Sequence, residues 1–179
     1  MKIMSVDWAF HKTGIAIYDS ETQTITTTIW EINKNVKINW WNIHFYKDIK
    51  KEMNLLYLRT LEKTIGLINT FDQILVEVGF GKVDKMSLFY AWFYNFWVGI
   101  PATDIMFINS QEWIKDMLKV NHVNKLKKNQ DKQLLKEQFN KRFNIVGDFT
   151  QDEIDAVMML LWKYPNLKVK KVEKSKYQF

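Results

Sequence analysis

The sequence predicts an α/β domain: a five-stranded mixed sheet, three antiparallel strands followed by parallel additions, flanked by helices. Three observations predict it. Residues 2–32 hold three runs of strand length, rich in Ile, Val and Thr and separated by short polar connections. A helix-periodic segment over 48–69 leads directly into a short apolar run over 72–78, which makes a strand–helix–strand crossover. A further apolar run over 104–109 is followed by segments of helical period to the end of the charged region.

The first strand is Lys2–Trp8, with Ile3, Met4 and Val6 as its apolar residues and Asp7 where the apolar run stops. Thr13–Asp19 and Thr24–Ile32 complete a meander, with Ser20–Gln23 as the turn between them. Residues 33–47 begin as a polar loop, and Trp40, Trp41, Phe45 and Tyr46 there either pack or stack on bases. Asp48 caps a helix to about Asn69 whose Ile49, Met53, Leu56, Leu61, Ile65 and Ile68 cover the sheet. The run Asp72–Val78 then returns parallel beside the first strand, because a right-handed crossover leads there. Glu77 sits near its end as Asp7 does in the first strand, so the carboxyl ends of both strands bring the two acids together.

Gly79–Lys85 is a surface loop whose Phe80 lies between two glycines. Residues 86–98 contain seven aromatic side chains and are apolar on every face, which leads to the expectation that the sheet covers one side and a second subunit the other; burial within one subunit is the alternative. Asp104–Asn109 is the fifth strand. Ser110 is placed as the cap of a helix over Gln111–Lys119 with Trp113, Ile114, Met117 and Leu118 facing inward. Gln130–Phe143 is a basic amphipathic helix with Leu134, Leu135, Phe139 and Phe143 as its apolar stripe. Thr150-Gln-Asp-Glu153 is a capping box that pins the start of the last helix and leaves Asp152 and Asp155 three residues apart on one face. The helix dipole alone would favour acids there, but not a pair matched to two strand-end acids.

Composition limits what these acids serve. At 179 residues, 47% of them apolar, the chain is long enough for one core and reads as a single domain. It has no cysteine, hence no disulfide framework and no thiolate zinc site, and its three histidines lack ligand spacing. The N-terminus has no signal-peptide pattern, and no apolar run reaches the roughly 20 residues that cross a membrane, so a cytoplasmic protein without membrane association is expected. The net charge of +6 is unevenly spread. Residues 119–142 carry Lys119, Lys125, Lys127, Lys128, Lys132, Lys136, Lys141 and Arg142 against Asp131 and Glu137. A lysine-rich tail over about 163–179 carries six lysines against Glu173. Basic strips beside an otherwise acidic molecule suit a polyanion held near a carboxylate site, although charge runs are more often solvated faces.

Ser5-Val-Asp7 with Thr13-Gly14 after it, Ile74-Leu-Val-Glu77 with Phe80 beyond, and Asp152-Glu-Ile-Asp155-Ala156 span almost the whole chain in this order. In these motifs the sequence resembles the RuvC-like Holliday-junction resolvases of the RNase H-like superfamily, especially the small bacteriophage forms. The resemblance implies a single RNase H-like nuclease domain over 1–179, acting as a homodimer that binds four-way junctions and cuts two strands of like polarity. A phage-encoded enzyme of this kind works in the host cytoplasm. The resemblance assigns Asp7, Glu77, Asp152 and Asp155 as catalytic and metal-binding residues. It departs from the family at Trp8-Ala-Phe-His-Lys12, where a proline and small residues are usual, so no cut-site preference carries over.

Four hard oxygen donors suit Mg²⁺, with Mn²⁺ as a substitute. Two ions roughly 3.5–4 Å apart would activate water and stabilise the leaving oxygen in an in-line displacement. DNA contacts are expected from Phe80, Lys82, Lys85, Lys125, Lys127, Lys128 and Lys132, with one of the last four steadying the phosphate. Phe80 either packs on its own subunit or wedges between base steps. Two further readings stay open: a related nuclease for RNA or simple branched DNA, and a non-catalytic junction-binding protein.

Overall fold

Alternating apolar residues and β-branched side chains build the sheet from the first residues onward. The computed structural model describes residues 1–7, 12–31, 71–78, 104–121, 123, 129–145 and 148–175. Its strands are β1 (Lys2–Asp7), β2 (Lys12–Asp19), β3 (Thr24–Glu31), β4 (Gln73–Val78), β5 (Asp104–Asn109) and β6 (Lys171–Lys174). Its helices are α1 (Ser110–Leu118), α2 (Gln130–Phe143) and α3 (Gln151–Lys163). The strands form one sheet in the order β5-β4-β1-β2-β3-β6.

β1, β2 and β3 form the expected antiparallel meander, with Asp7 opposite Gly14 and Ser5 opposite Ala16. β4 joins β1 in parallel and β5 joins β4 in parallel. This mixed α/β arrangement, antiparallel strands first and parallel additions after, is the one the RNase H-like resemblance implies. The sheet has six strands instead of five, because part of the expected tail is β6, parallel to β3 with Thr27 opposite Lys174. Lys170 N–H donates to Gln23 O and Ser175 N–H to Thr27 O at its two ends. A four-residue strand with lysines is well suited to the edge of a sheet, where such charges discourage further pairing.

One face of the sheet presents Ile3, Ala16, Tyr18, Ile25, Leu75 and Ile108 to the helices. Against it pack Trp113 of α1, Leu135 and Phe139 of α2, and Ile154, Ala156, Val157, Met158, Met159, Leu160 and Leu161 of α3. Each of the larger aliphatic or aromatic side chains contributes about 1.5–3 kcal/mol when fully buried, so α3, which carries the most of them among the described helices, is the described helix most firmly fixed to the sheet. The opposite face is buried as well, at Met4, Val6, Ile15, Ile74 and Val76. Strands buried on both faces explain the continuous apolar runs of β1 and β4.

The capping box of α3 is present in full. At α1 the cap is Asn109 and not Ser110: its side chain accepts from Gln111 N–H at 2.9 Å while its backbone is still extended. The strand therefore passes into the helix with no intervening loop, one residue earlier than the sequence suggests. No helix among the described residues is long and apolar enough to cross a membrane. The segment 33–47, the helices expected over 48–69 and 86–98, and Phe80, Lys82, Lys85, Lys125, Lys127 and Lys128 lie outside the described residues.

Candidate active site

The register of β1 and β4 runs Met4 with Ile74 and Val6 with Val76, so one further step sets Asp7 beside Glu77 at the carboxyl edge of the sheet. Both acids fall on the face that α3 covers, since they alternate with Val6 and Val76 in the same phase as Ser5 and Leu75. Asp152 and Asp155 enter from the first two turns of α3. What admits them is Gly14, the residue opposite Asp7 on β2. A Cβ at Gly14 would lie 1.9 Å from the carbonyl oxygen of Asp152 and 2.3 Å from its carbonyl carbon. Strand and helix backbones meet there, and only a residue without a side chain lets them.

The electrostatics agree with this placement. Burial pushes the Asp7 carboxyl well above its ordinary range, and the nearby charges of Glu77, Asp155 and Asp152 push it further. Burial raises Glu77, against a hydrogen bond from Trp113 that lowers it. Burial also raises Asp155, to about 7; the amide of Gln151, which donates to its Oδ1 at 2.7 Å, works against this, and Glu77 and Asp152 add to it. Asp152 is raised by burial and partly relieved by Lys12. All four keep some solvent access, whereas Val6, Val76 and Ile154 beside them are buried. The acids thus form an open negative floor.

Lys132 is the basic residue that lowers all four acids. It is exposed in the first turn of α2, where the helix dipole disfavours a cation. Among the four lysines considered for the phosphate, Lys132 is the one within the described residues, and it faces the acids. Among the described residues, no group of three acidic or histidine side chains is drawn together into a ready-made metal cage. The fit to a divalent cation rests on the donor set itself: four partly accessible carboxylates that repel one another and are desolvated are acceptors that a hard cation would satisfy.

Glu153, between the two aspartates in sequence, has a different task. It is 2% exposed and accepts from Thr27 Oγ1 at 2.9 Å, Thr150 N at 2.8 Å and Thr150 Oγ1 at 3.0 Å, with Lys174 Nζ at 3.6 Å. Lys174 also donates to Asp148 O and lies over the Phe149 ring. Glu153 therefore ties the start of α3 to β3 and β6. Sequence reasoning did not single out Lys12, Trp113 or the contact at Gly14 as part of the site. Of these only Gly14 carried a signal, a glycine inside a strand pattern, which marks a close backbone approach.

No family model matches the chain, and no curated protein matches it. Two solved structures that are similar to it are the fowlpox virus resolvase in complex with Holliday junction DNA and the fowlpox virus Holliday junction resolvase. The first is 17% identical, covers 94% of this chain and 89% of its own, and has a TM-score of 0.39. The second is 17% identical, covers 94% and 88%, and has a TM-score of 0.36.

Proposed function

We propose that the chain is a metal-dependent, structure-selective DNA endonuclease that cuts Holliday junctions and other branched DNA by phosphodiester hydrolysis. The observation that carries this reading is the convergence of Asp7, Glu77, Asp152 and Asp155, from two parallel strand ends and one helix start, with Lys132 opposite all of them. Asp7, at the centre of the group, would be shared between two Mg²⁺ or Mn²⁺ ions, with Glu77, Asp152 and Asp155 completing the two sets. When bound, such ions polarise a phosphate and lower the pKa of water at neutral pH.

The chain's own residues prepare that step. Without a cation, the Asp155 carboxyl retains a proton near neutrality, so loading the site displaces protons and makes affinity rise with pH. Lys132, exposed on its helix, offsets negative charge on the side from which a phosphate would approach. Lys136, one turn beyond Lys132 on the same side of α2, extends that positive surface for sequence-independent contact with a DNA backbone. The same proposal includes a homodimer through residues 86–98, checked by the mass in solution scattering.

The test is cleavage of a mobile four-way junction with Mg²⁺ and with EDTA, run beside a flap, a plain duplex and an RNA hybrid. Paired nicks of the junction in Mg²⁺ alone are expected. Faster cutting of RNA would move the assignment to a ribonuclease, and tight junction binding with no metal-dependent nick would move it to a non-catalytic binder.

A further inference from the structure

Trp113 is fully buried, the largest such side chain among the described residues, yet it is not simply a core filler. Its indole N–H donates to Glu77 Oε2 at 2.9 Å. The sequence places it there through three successive constraints. Parallel pairing of β4 with β5 sets Glu77 opposite Ile108 and Val78 opposite Asn109. Asn109 ends the strand and caps α1 in one step, so the helix begins at the same edge of the sheet at which Glu77 ends. Side chains on a helix lean toward its N-terminus, and Trp113, in the first turns, therefore leans back over the end of β4.

An indole N–H is a donor only, held by a ring with two torsions and no freedom once buried. A carboxylate on a strand end has several rotamers, and nothing in β4 itself selects one. The bond occupies Oε2 and leaves Oε1 outside it, so the indole fixes one oxygen of the carboxylate and does not consume the other.

We infer that Trp113 is the positioning residue for Glu77, holding that carboxylate in the one orientation that lets it complete an ion site with Asp7. This rests on the nuclease reading of the acids. Partners of this kind fix the direction of a ligand, and their loss typically lowers metal affinity or activity about 10–100-fold.

The experiment uses the full chain. Mn²⁺ affinity is measured by calorimetry, and junction cleavage is measured alongside, for wild type, Trp113→Phe, Glu77→Gln and the double variant, with Phe139→Leu as a core cavity away from the acids. Trp113→Phe is expected to bind Mn²⁺ about tenfold more weakly and to lose kcat by about tenfold or more with KM for the junction unchanged. The double variant should be no worse than Glu77→Gln alone, and Phe139→Leu should lower Tm without changing Mn²⁺ affinity. An affinity for Trp113→Phe equal to that of wild type overturns the positioning role and leaves the nuclease reading intact. A wild type that neither binds Mn²⁺ nor cuts any of the DNAs overturns both. If Trp113→Phe does not fold, the intact tryptophan decides. Among the indole N–H resonances of the eight tryptophans, that of Trp113, assigned by selective labelling, should move in Glu77→Gln and again when Mg²⁺ is added to wild type. A resonance that stays in place under both changes refutes the inference.

Discussion

Replacing Gly14 by alanine adds one methyl group at the point where β2 and α3 touch. The new carbon would stand 1.9 Å from the Asp152 carbonyl oxygen, against the 3.4 Å at which ordinary contact begins, so about 1.5 Å of separation must be found. β2 cannot supply it, because it is paired along its length to β1 on one side and β3 on the other. The helix start must lift. Overpacking of this kind costs about 1–3 kcal/mol, and a backbone-to-backbone clash belongs at the upper end. For a chain of this size, 3 kcal/mol corresponds to a fall of about 6–12 °C in Tm. The lift also carries Asp152 away from Asp7, and a displacement of about 1 Å in a positioned group costs on the order of a hundredfold in rate. Thermal melting, Mn²⁺ calorimetry and junction cleavage on Gly14→Ala should therefore all change together. A variant with wild-type Tm and wild-type Mn²⁺ affinity would show that the close approach does not set the site.

Other outcomes follow from the same geometry. Asp7→Asn, Glu77→Gln, Asp152→Asn and Asp155→Asn should each reduce cleavage by about a hundredfold or more while junction binding persists, and in EDTA each should melt no lower than wild type because a repelling charge is gone; gel-shift and melting curves check both. Stability in EDTA should fall as pH rises. The folded Asp155 pKa of about 7 lies above the ordinary value of 3.8, so between these values the native state holds a proton that the unfolded chain has released; stability present at low pH is lost through this window and gone above about 7. The loss should amount to about 2–4 kcal/mol in denaturant titrations at about pH 5 and about pH 8, and saturating Mg²⁺ should reverse much of it; equal stability at both pH values would contradict the clustering of the acids. Glu153→Ala strands the buried Thr27 hydroxyl and the Thr150 N–H and removes the ion pair with Lys174, and should cost about 3 kcal/mol by chemical denaturation.

The parts of the molecule that rest on local pattern were legible in the sequence. β5 and α2 have the expected limits, and the Thr150–Glu153 box fixes the start of α3 as its spacing requires. The meander and the parallel return of β4 followed from strand lengths and crossover handedness. What pattern could not supply is long-range pairing that no strand–helix–strand unit announces. Lys171–Lys174 has one apolar residue and no alternation to mark it as a strand, and it becomes one because β3 offers an open edge. The Trp113–Glu77 bond joins residues 36 apart and depends on the register of two parallel strands, which no single segment encodes. Three of the four lysines weighed for the phosphate, Lys125, Lys127 and Lys128, lie outside the described residues, and nothing in their spacing separates them from Lys132.

Several residues at this spot break local rules of stability, and they break them in the same place. Gly14 is a glycine inside a strand, at a cost of about 0.5–1 kcal/mol relative to alanine. Lys132 is a cation in the first turn of a helix, where the dipole opposes it by about 0.3–1 kcal/mol. Asp7 and Glu77 are carboxylates at the ends of otherwise apolar strands, raised by burial and by mutual repulsion. Glu153 shows that the fold can satisfy an acid there when stability is the only demand: three hydrogen-bond contacts and an ammonium surround it, and it faces away from the shared floor. Asp7, Asp152 and Asp155 are not given that treatment, although they lie within a turn or a strand of it. Costs that are only partly compensated, gathered at one partly open point, are expected where function, and not folding, selects the residues. On the proposed nuclease reading, a pair of divalent cations would relieve the repulsion among all four acids at once, while leaving the lysine opposite them to meet a phosphate.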